Sequence, residues 1–345
     1  MRNRNRLPKI LLIAAVAAVV GLLVLNRCEA KTTAPSPDVD EAERVKPVGP
    51  SFCADSAYAF CAAQCQFGPR TMNSEAHERC AAWIAGKFRS YGLEVELQQA
   101  TLKGYDGTPL RATNILASTR DAAGTPRILL CAHWDSRPWA DNDPDSANWR
   151  KPVMAANDGA SGVAVLLEVA RLLQADTTRR VGIDFVCFDA EDWGTPQWAE
   201  TGDDGDTWAL GAQHWASQPA AGQRHGKPLF GILLDMVGGE GARFYQELGS
   251  KQMAPDVVKL VWRAAHAAGY GSFFPRQDGG MITDDHLPVN QKAGIPCIDI
   301  IACYPDCAQS SFGPTWHTVS DDMQHIDAQV LKAVGQTIVQ VIYQQ

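Results

Sequence analysis

Short apolar runs alternate along the chain with longer segments in which apolar residues recur every three or four positions. The short runs are typical of buried strands and the periodic segments of amphipathic helices. Strands are predicted at 93–102, 114–117, 128–132, 181–188, 229–234 and 295–301. Helices are predicted at 73–92, 163–173, 207–217, 255–268 and 327–343. This alternation predicts an α/β fold, a single domain with a central mixed, mostly parallel β-sheet flanked by helices.

Acidic and histidine side chains follow several of these predicted strands or precede a predicted helix. They are His133, Asp135, Asp158, Glu191, Asp192, Asp235 and His317. Ligands of open α/β sheets gather at the carboxyl ends of the strands, so we expect these side chains to meet there. A single Asp at the end of a strand is more often a helix cap than a metal ligand. A binding site is favoured here because several such residues occur together.

The adjacent pair Glu191 and Asp192 follows an apolar run at 181–188. Neighbouring side chains of an extended chain point in opposite directions, so one carboxylate can face a metal while the other faces a substrate proton. The alternative is a solvated acidic turn. Zinc takes histidine nitrogen and carboxylate oxygen, and a catalytic zinc keeps one position open. Asp158, Asp192 and His317 would provide three ligands and leave such an opening.

The N-terminal segment is predicted to lie outside the folded domain. Residues 1–9 are basic and residues 10–25 are apolar, which is the layout of a secretory signal peptide or an uncleaved membrane anchor over 1–30. Cys28 adds lipid attachment as a further alternative. Residues 31–50 are Pro-rich and predict a linker, so the folded domain is expected at 51–345. The interpretation is an exported protein, periplasmic or associated with the cell envelope, that touches a membrane only through this segment if the segment is not cleaved.

Charge and cysteine content narrow the possible partners and chemistry. The 345-residue chain has a net charge of −8 and no basic cluster beyond its first ten residues, which argues against nucleic acid as a partner. We expect a monomer. An exported protein can form disulfides, and the candidates are Cys53, Cys61, Cys65, Cys80, Cys303 and Cys307, with the pairing open. Cys131, Cys187 and Cys297 lie in apolar runs and are expected to be buried thiols.

Taken together, the motifs resemble a known family. They are His133-x-Asp135, Ala-Asn-Asp158-Gly-Ala-Ser-Gly, Asp-Ala-Glu191-Asp192, Leu-Leu-Asp235-Met-Val-Gly, Asp285-His-x-Pro and Trp316-His317-Thr. The set resembles the M28-type zinc aminopeptidase fold and, within it, the type II glutaminyl cyclases. Asp284 and the spacing of Phe312 and Trp316 before His317 favour the cyclases. The resemblance runs from about Phe52 to the C-terminus.

The resemblance implies a function and a role for each site residue. The enzyme would be a glutaminyl-peptide cyclotransferase that converts the N-terminal glutamine of peptides and proteins to pyroglutamate with release of ammonia. One zinc per chain would be held by Asp158, Asp192 and His317. Glu191 would be the general acid and base, and Asp235 and Asp284 would bind the amide nitrogen. The pocket would be walled by Phe312, Trp316 and Trp193, with Trp198 as the alternative to Trp193, and His133, Asp135 and Asp299 would belong to the surrounding hydrogen-bond network.

The chain departs from the pattern of the animal cyclases at two positions. Asp192 stands where those enzymes have Glu, and Asp299 stands where they have His. One alternative function is a two-zinc M28 aminopeptidase, because the ligands of a second zinc are also present. The other belongs to a different class: a catalytically inactive peptidase-like domain kept for binding. Such domains lose the general acid/base or several ligands, whereas this chain retains them.

Overall fold

A seven-stranded mixed β-sheet runs through the centre of the computed structural model, which describes residues 46–175, 178–200, 207–218 and 225–345. The strands are β1 (Glu94–Lys103), β2 (Pro109–Ser118), β3 (Arg127–His133), β4 (Gly182–Phe188), β5 (Phe230–Asp235), β6 (Arg243–Phe244) and β7 (Cys297–Cys303). Their order across the sheet is β1-β2-β4-β3-β5-β7-β6. The central strands β4, β3, β5 and β7 are parallel, and the outer pairings are antiparallel.

Helices cover both faces of the sheet. They are α1 (Ala54–Cys65), α2 (Glu75–Ser90), α3 (Ala160–Ala175), α4 (Leu210–Ala216), α5 (Leu248–Met253), α6 (Pro255–Ala267), α7 (His286–Gln291) and α8 (Ala328–Tyr343). The apolar sides of α1, α2, α3, α6 and α8 form the larger core, and α4 and α7 contribute to a second core on the other face. The strands β3 and β5 are buried along their whole length because both of their faces are covered.

The predicted α/β architecture is confirmed, and each predicted strand and helix is present with ends shifted by a few residues. Four elements differ from expectation: α1, α5, α7 and the two-residue strand β6. The segment 283–288, expected to be a loop, contains the start of α7; Pro288 lies in its first turn, where a helix tolerates a missing N–H. Helix α1 was not expected. Alanines occur on all its sides, so its buried and exposed sides differ little in hydrophobicity.

The N-terminal predictions fall largely outside the described residues. Signal peptide, anchor, Cys28 and the linker up to residue 45 lie there, so export stays a prediction. No helix in the described ranges is long and apolar enough to cross a bilayer. The described cysteines are all free thiols, so this structure forms none of the expected disulfides among them. Cys131, Cys187 and Cys297 are fully buried, as predicted.

Candidate metal centre and active site

The parallel strands bring the predicted site residues to one edge of the sheet. His133 is the last residue of β3 and pairs with Phe188, the last residue of β4. Asp235 ends β5 on the other side of β3. Glu191 and Asp192 lie in the turn that follows β4. The strand-end side chains therefore converge at the carboxyl edge, as expected for an open α/β sheet.

Asp158, Asp192 and His317 form a group with the geometry of a zinc site. Their ligand atoms lie within 4.8 Å of one another and all three residues are buried. His317 Nε2 is 3.2 Å from Asp192 Oδ1 and 3.6 Å from Asp158 Oδ2. Ligands about 2.1 Å from a tetrahedral zinc are about 3.4 Å apart. Both carboxylate oxygens of Asp192 are buried and accept no hydrogen bond from the described residues, which fits a residue that binds a cation.

A second group shares Asp158 and lies beside the first. His133 Nε2 is 3.0 Å from Asp158 Oδ1 and 3.1 Å from Asp235 Oδ1. A single Nε2–H cannot donate a full hydrogen bond to two carboxylates at once. The position of His133 therefore suits a neutral Nε2 that binds a metal ion as well as it suits a hydrogen-bond donor. The chain therefore has ligands for a second metal ion next to the first.

Asp135 fixes the turn that carries Glu191 and Asp192. Its two carboxylate oxygens accept hydrogen bonds from the backbone N–H of Glu191, at 3.1 Å, and of Asp192, at 3.2 Å. Asp135 is fully buried. One carboxylate therefore holds the backbone of both residues.

Asp321 holds the segment before α3 in the same way, a role that sequence reasoning missed. Its carboxylate accepts the N–H of Asn157 at 2.7 Å and of Asp158 at 3.1 Å. Gly159 follows, and a Cβ there would lie 2.5 Å from His133 Cε1, so the close approach of the two site segments requires glycine. Asp321 is too distant in sequence for any local pattern to reveal this contact.

The site opens into a cavity of about 220 Å³. Glu191, Asp235 and Asp284 line it beside the ligand group, as do the predicted aromatics Phe312 and Trp316. Further lining residues are Trp208, Met236, Met281, Ile282, Thr283 and Ile301. The cavity is therefore acidic next to the ligand group and apolar elsewhere.

Besides Trp316, the tryptophan that lines the cavity is Trp208, whereas the sequence favoured Trp193 over Trp198. The Trp208 ring lies parallel to the His317 ring, with centroids 6.0 Å apart and an interplanar angle of 8°. Trp193 does not line the cavity: it packs beside a small apolar cluster and against Trp139, with centroids 5.2 Å apart. Trp198 also lies outside the cavity, under the guanidinium of Arg150. A role of Trp193 in substrate binding stays a prediction.

Burial dominates the electrostatics of the acidic residues. Burial raises the pKa of Glu191 well above its usual range, and the charges of Asp192 and Asp284 raise it further. Burial and the neighbouring Asp235 likewise raise the pKa of Asp284. Burial opposes ionisation of Asp192 as well, yet His317 and Arg137 hold its pKa below the ordinary value. The surroundings thus move the pKa values of the two neighbouring carboxyls in opposite directions.

Asp299 does not line the cavity and lies deeper, on β7. Its backbone N–H donates to Ser250 Oγ at 2.9 Å, and its carboxylate is 4.0 Å from His286 Nδ1. Burial and the charges of Asp284 and Asp235 raise its pKa. This placement leaves Asp299 as a neighbour of the site carboxylates rather than a residue in contact with substrate.

This fold and this site define a class: an α/β protein with a buried carboxylate–histidine metal centre at the carboxyl edge of its sheet. The family described as Peptidase family M28 matches residues 114–342, and the chain belongs to it. The family inferred from the sequence motifs is thereby confirmed, and zinc is the metal that the family implies.

Solved and curated proteins agree with this assignment. The crystal structure of the glutaminyl cyclase of Bacteroides thetaiotaomicron is 49% identical, with a TM-score of 0.82, and the match covers 86% of this chain and 100% of that one. The glutaminyl-peptide cyclotransferase of Bos taurus is 24% identical over 63% of this chain and 62% of its own length. Aminopeptidase YwaD of Bacillus subtilis is 25% identical over 72% of this chain and 48% of its own length. The matches thus span about half to three-fifths of these curated relatives.

Proposed function

We propose that the chain is a zinc-dependent glutaminyl-peptide cyclotransferase, which converts the N-terminal glutamine of peptides and proteins to pyroglutamate and releases ammonia. The observation that carries the proposal is the cavity of about 220 Å³ in which Glu191 stands beside the three-ligand group under aromatic walls. The 49% identity to a solved glutaminyl cyclase, over that protein's whole length, supports the same reaction.

Asp158, Asp192 and His317 would hold the zinc. Their spacing and the unshared oxygens of Asp192 fit a tetrahedral ion with one open position. When bound, zinc supplies Lewis acidity toward the side-chain amide carbonyl of the glutamine. Trp208, stacked on His317, keeps that ligand in place from the cavity side.

Glu191 performs the proton transfers. It accepts a proton from the α-amine as the amine nitrogen bonds to the side-chain amide carbon, which closes a five-membered ring. It then donates a proton to the amide nitrogen as the carbon–nitrogen bond breaks and ammonia leaves. One carboxyl serves as base and then as acid because burial raises its pKa well above the ordinary value.

Asp235 and Asp284 bind the amide nitrogen of the substrate, and the aromatic walls exclude water. Both carboxyls line the cavity with Glu191 and are almost fully buried. Phe312 and Trp316 pack together, with ring centroids 4.9 Å apart, at the apolar side of the cavity. Excluding water favours ring closure, because hydrolysis of the amide is the competing reaction.

A two-zinc aminopeptidase is the second candidate. His133 Nε2 lies 3.0 Å from Asp158 and 3.1 Å from Asp235, so these three residues could hold a second ion, and one curated relative is an aminopeptidase. In that reaction the same Glu191 would activate a water molecule against the first peptide bond. The two candidates therefore differ in their product.

One assay separates them. Purified protein loaded with zinc is incubated with a Gln-Xaa-Xaa peptide, and the product masses are read. A product that has lost only ammonia, at a rate that depends on zinc, is the expected result. Loss of the whole glutamine residue, with two zinc ions per chain, would replace the proposal with the aminopeptidase. An unchanged peptide would favour the inactive binding domain.

A further inference from the structure

An ion pair buried next to the metal ligands has no part in the mechanism above. Arg137 and Asp141 lie in the polar loop after β3, and both side chains are 1% exposed. The guanidinium meets the carboxylate in a two-pronged arrangement, with Nε–Oδ1 at 2.8 Å and an Nη2–Oδ2 distance of 2.6 Å. Such a pair costs desolvation free energy, so burial alone gives no reason to expect it here.

Each end of the pair touches a different zinc ligand. Asp141 Oδ1 lies 3.5 Å from Nδ1 of His317, on the ring edge opposite the Nε2 that faces the metal group. Arg137 Nη1 donates to the backbone carbonyl of Asp192 at 3.0 Å and of Gly194 at 3.2 Å. The same nitrogen is 3.9 Å from the Asp192 carboxylate. One buried pair thus joins two ligands that are far apart in sequence.

The guanidinium also supports the cavity wall. It lies over the Trp208 ring, 4.7 Å from its centroid, and 5.4 Å from the centroid of Trp139. Trp208 in turn stacks on His317. The pair, the ligand and the wall therefore form one connected unit.

We propose that Arg137 and Asp141 are positioning residues of the zinc site. Asp141 accepts the Nδ1–H of His317, which keeps the Nε2 lone pair free for the metal, and Arg137 fixes the backbone that carries Asp192. The inference rests on the zinc site of the proposed function but not on the cyclase reaction itself. Partners of this kind typically contribute 10- to 100-fold to metal affinity.

The test replaces the whole pair, so that no single charge is left buried. The double variant Arg137→Met with Asp141→Leu is compared with a matched control, Arg127→Met with Asp184→Leu. The control pair has the same two-pronged contact, with both bonds at 2.8 Å. Arg127 is the first residue of β3, at the end of the strand opposite His133. The readout is zinc affinity, measured by competition between the metal-free protein and a chromophoric chelator. It needs no turnover, so a failure of the proposed function leaves it interpretable.

Zinc affinity is expected to fall about 10- to 100-fold in the first double variant and to stay unchanged in the control. The visible spectrum of the cobalt-substituted protein should change in the first variant alone. Equal losses in both variants, or parental affinity in a folded Arg137→Met/Asp141→Leu protein, would overturn the proposal. If that protein does not fold, the isosteric Asp141→Asn decides: its NH₂ group would face the guanidinium, and an unchanged zinc affinity would refute the role.

Discussion

At the scale of single residues, the site depends on two neighbours with the same functional group and different surroundings. Glu191 lines the cavity and has a pKa raised by burial, whereas Asp192 is kept ionised by His317 and Arg137. Asp135 makes this separation possible by binding both backbone N–H groups of the pair. The two neighbouring carboxylates, Glu191 and Asp192, thus differ in their chemical roles.

Glu191→Gln is expected to lower kcat about 10²- to 10⁴-fold, because the amide cannot carry protons between the amine and the departing ammonia. Zinc content should stay at the parental level, because the ligand group does not include Glu191. Ammonia release and zinc per chain check the two statements. The companion variant Asp192→Asn should lose zinc. If Glu191→Gln lost the metal instead, the roles of the two residues would be exchanged.

The sequence predicted the residues at strand ends better than those supplied by loops. His133, Asp158, Glu191, Asp192 and Asp235 follow or precede regular elements, so their meeting point follows from the sheet. Trp208, Asp321 and the pair Arg137–Asp141 come from irregular segments whose path depends on tertiary packing. Their backbone bonds and ring contacts span residues far apart in the chain, and no periodic pattern records such contacts.

At the scale of elements, helix α8 holds the start of the described chain by side-chain amides. Gln340 Oε1 accepts the N–H of Val48 at 2.8 Å, and its Nε2 donates to the carbonyl of Lys46 at 3.0 Å. Gln336 repeats the arrangement with the N–H of Phe52 and the carbonyl of Pro50. Residues 46–50, expected to belong to the linker, are therefore paired with a core helix.

Gln340→Met is expected to lower the free energy of unfolding by about 1–3 kcal/mol, because it leaves a backbone N–H and a carbonyl of this segment without partners. Cleavage by a nonspecific protease within 46–50 should become faster. Urea unfolding and mass spectrometry of early cleavage products measure the two effects. Gln329→Met, at an exposed position of the same helix, is the control. Equal stability of the two variants would contradict the pairing.

Periodicity predicted the long elements because their burial is one-sided, as in α2, or complete over a short run, as in β3 and β5. Ser74 caps α2, where its side chain accepts the N–H of His77. Helix α1 escaped notice because Ala57, Cys61 and Gln64 form its buried side, and small or polar residues do not mark a core-facing stripe.

At the scale of the whole molecule, the fold concentrates buried carboxylates at one edge of the sheet. Burial raises the pKa of Asp285 and of Asp299 well above the ordinary range, and neither oxygen of either carboxylate has a hydrogen-bond partner among the described residues. Glu247 behaves in the opposite way. Burial opposes its ionisation, but His286 and the N–H groups of α5 lower its pKa to about 2. The molecule thus carries groups that respond to pH with opposite signs.

The stability of the metal-free protein should therefore depend on pH with a defined sign. A raised folded pKa means that the folded state binds more protons than the unfolded chain above about pH 4, so stability falls as pH rises from there toward neutral. Each extra proton contributes a slope of up to about 1.4 kcal/mol per pH unit. Below about pH 4, Glu247 reverses the sign, because its contribution is lost as pH falls toward 2.

Urea unfolding of the metal-free protein between pH 4 and 8 measures this slope, and Asp299→Asn is expected to flatten it by removing one of the responding carboxyls. The exposed Asp256→Asn is the control and should leave the slope unchanged. A stability that rises with pH across this range would mean that Asp285 and Asp299 are ionised and paired in the folded protein. Other contacts, rather than bound protons, would then stabilise these buried carboxylates. Their clustering at the sheet edge would in that case not lower the free energy of unfolding as pH rises.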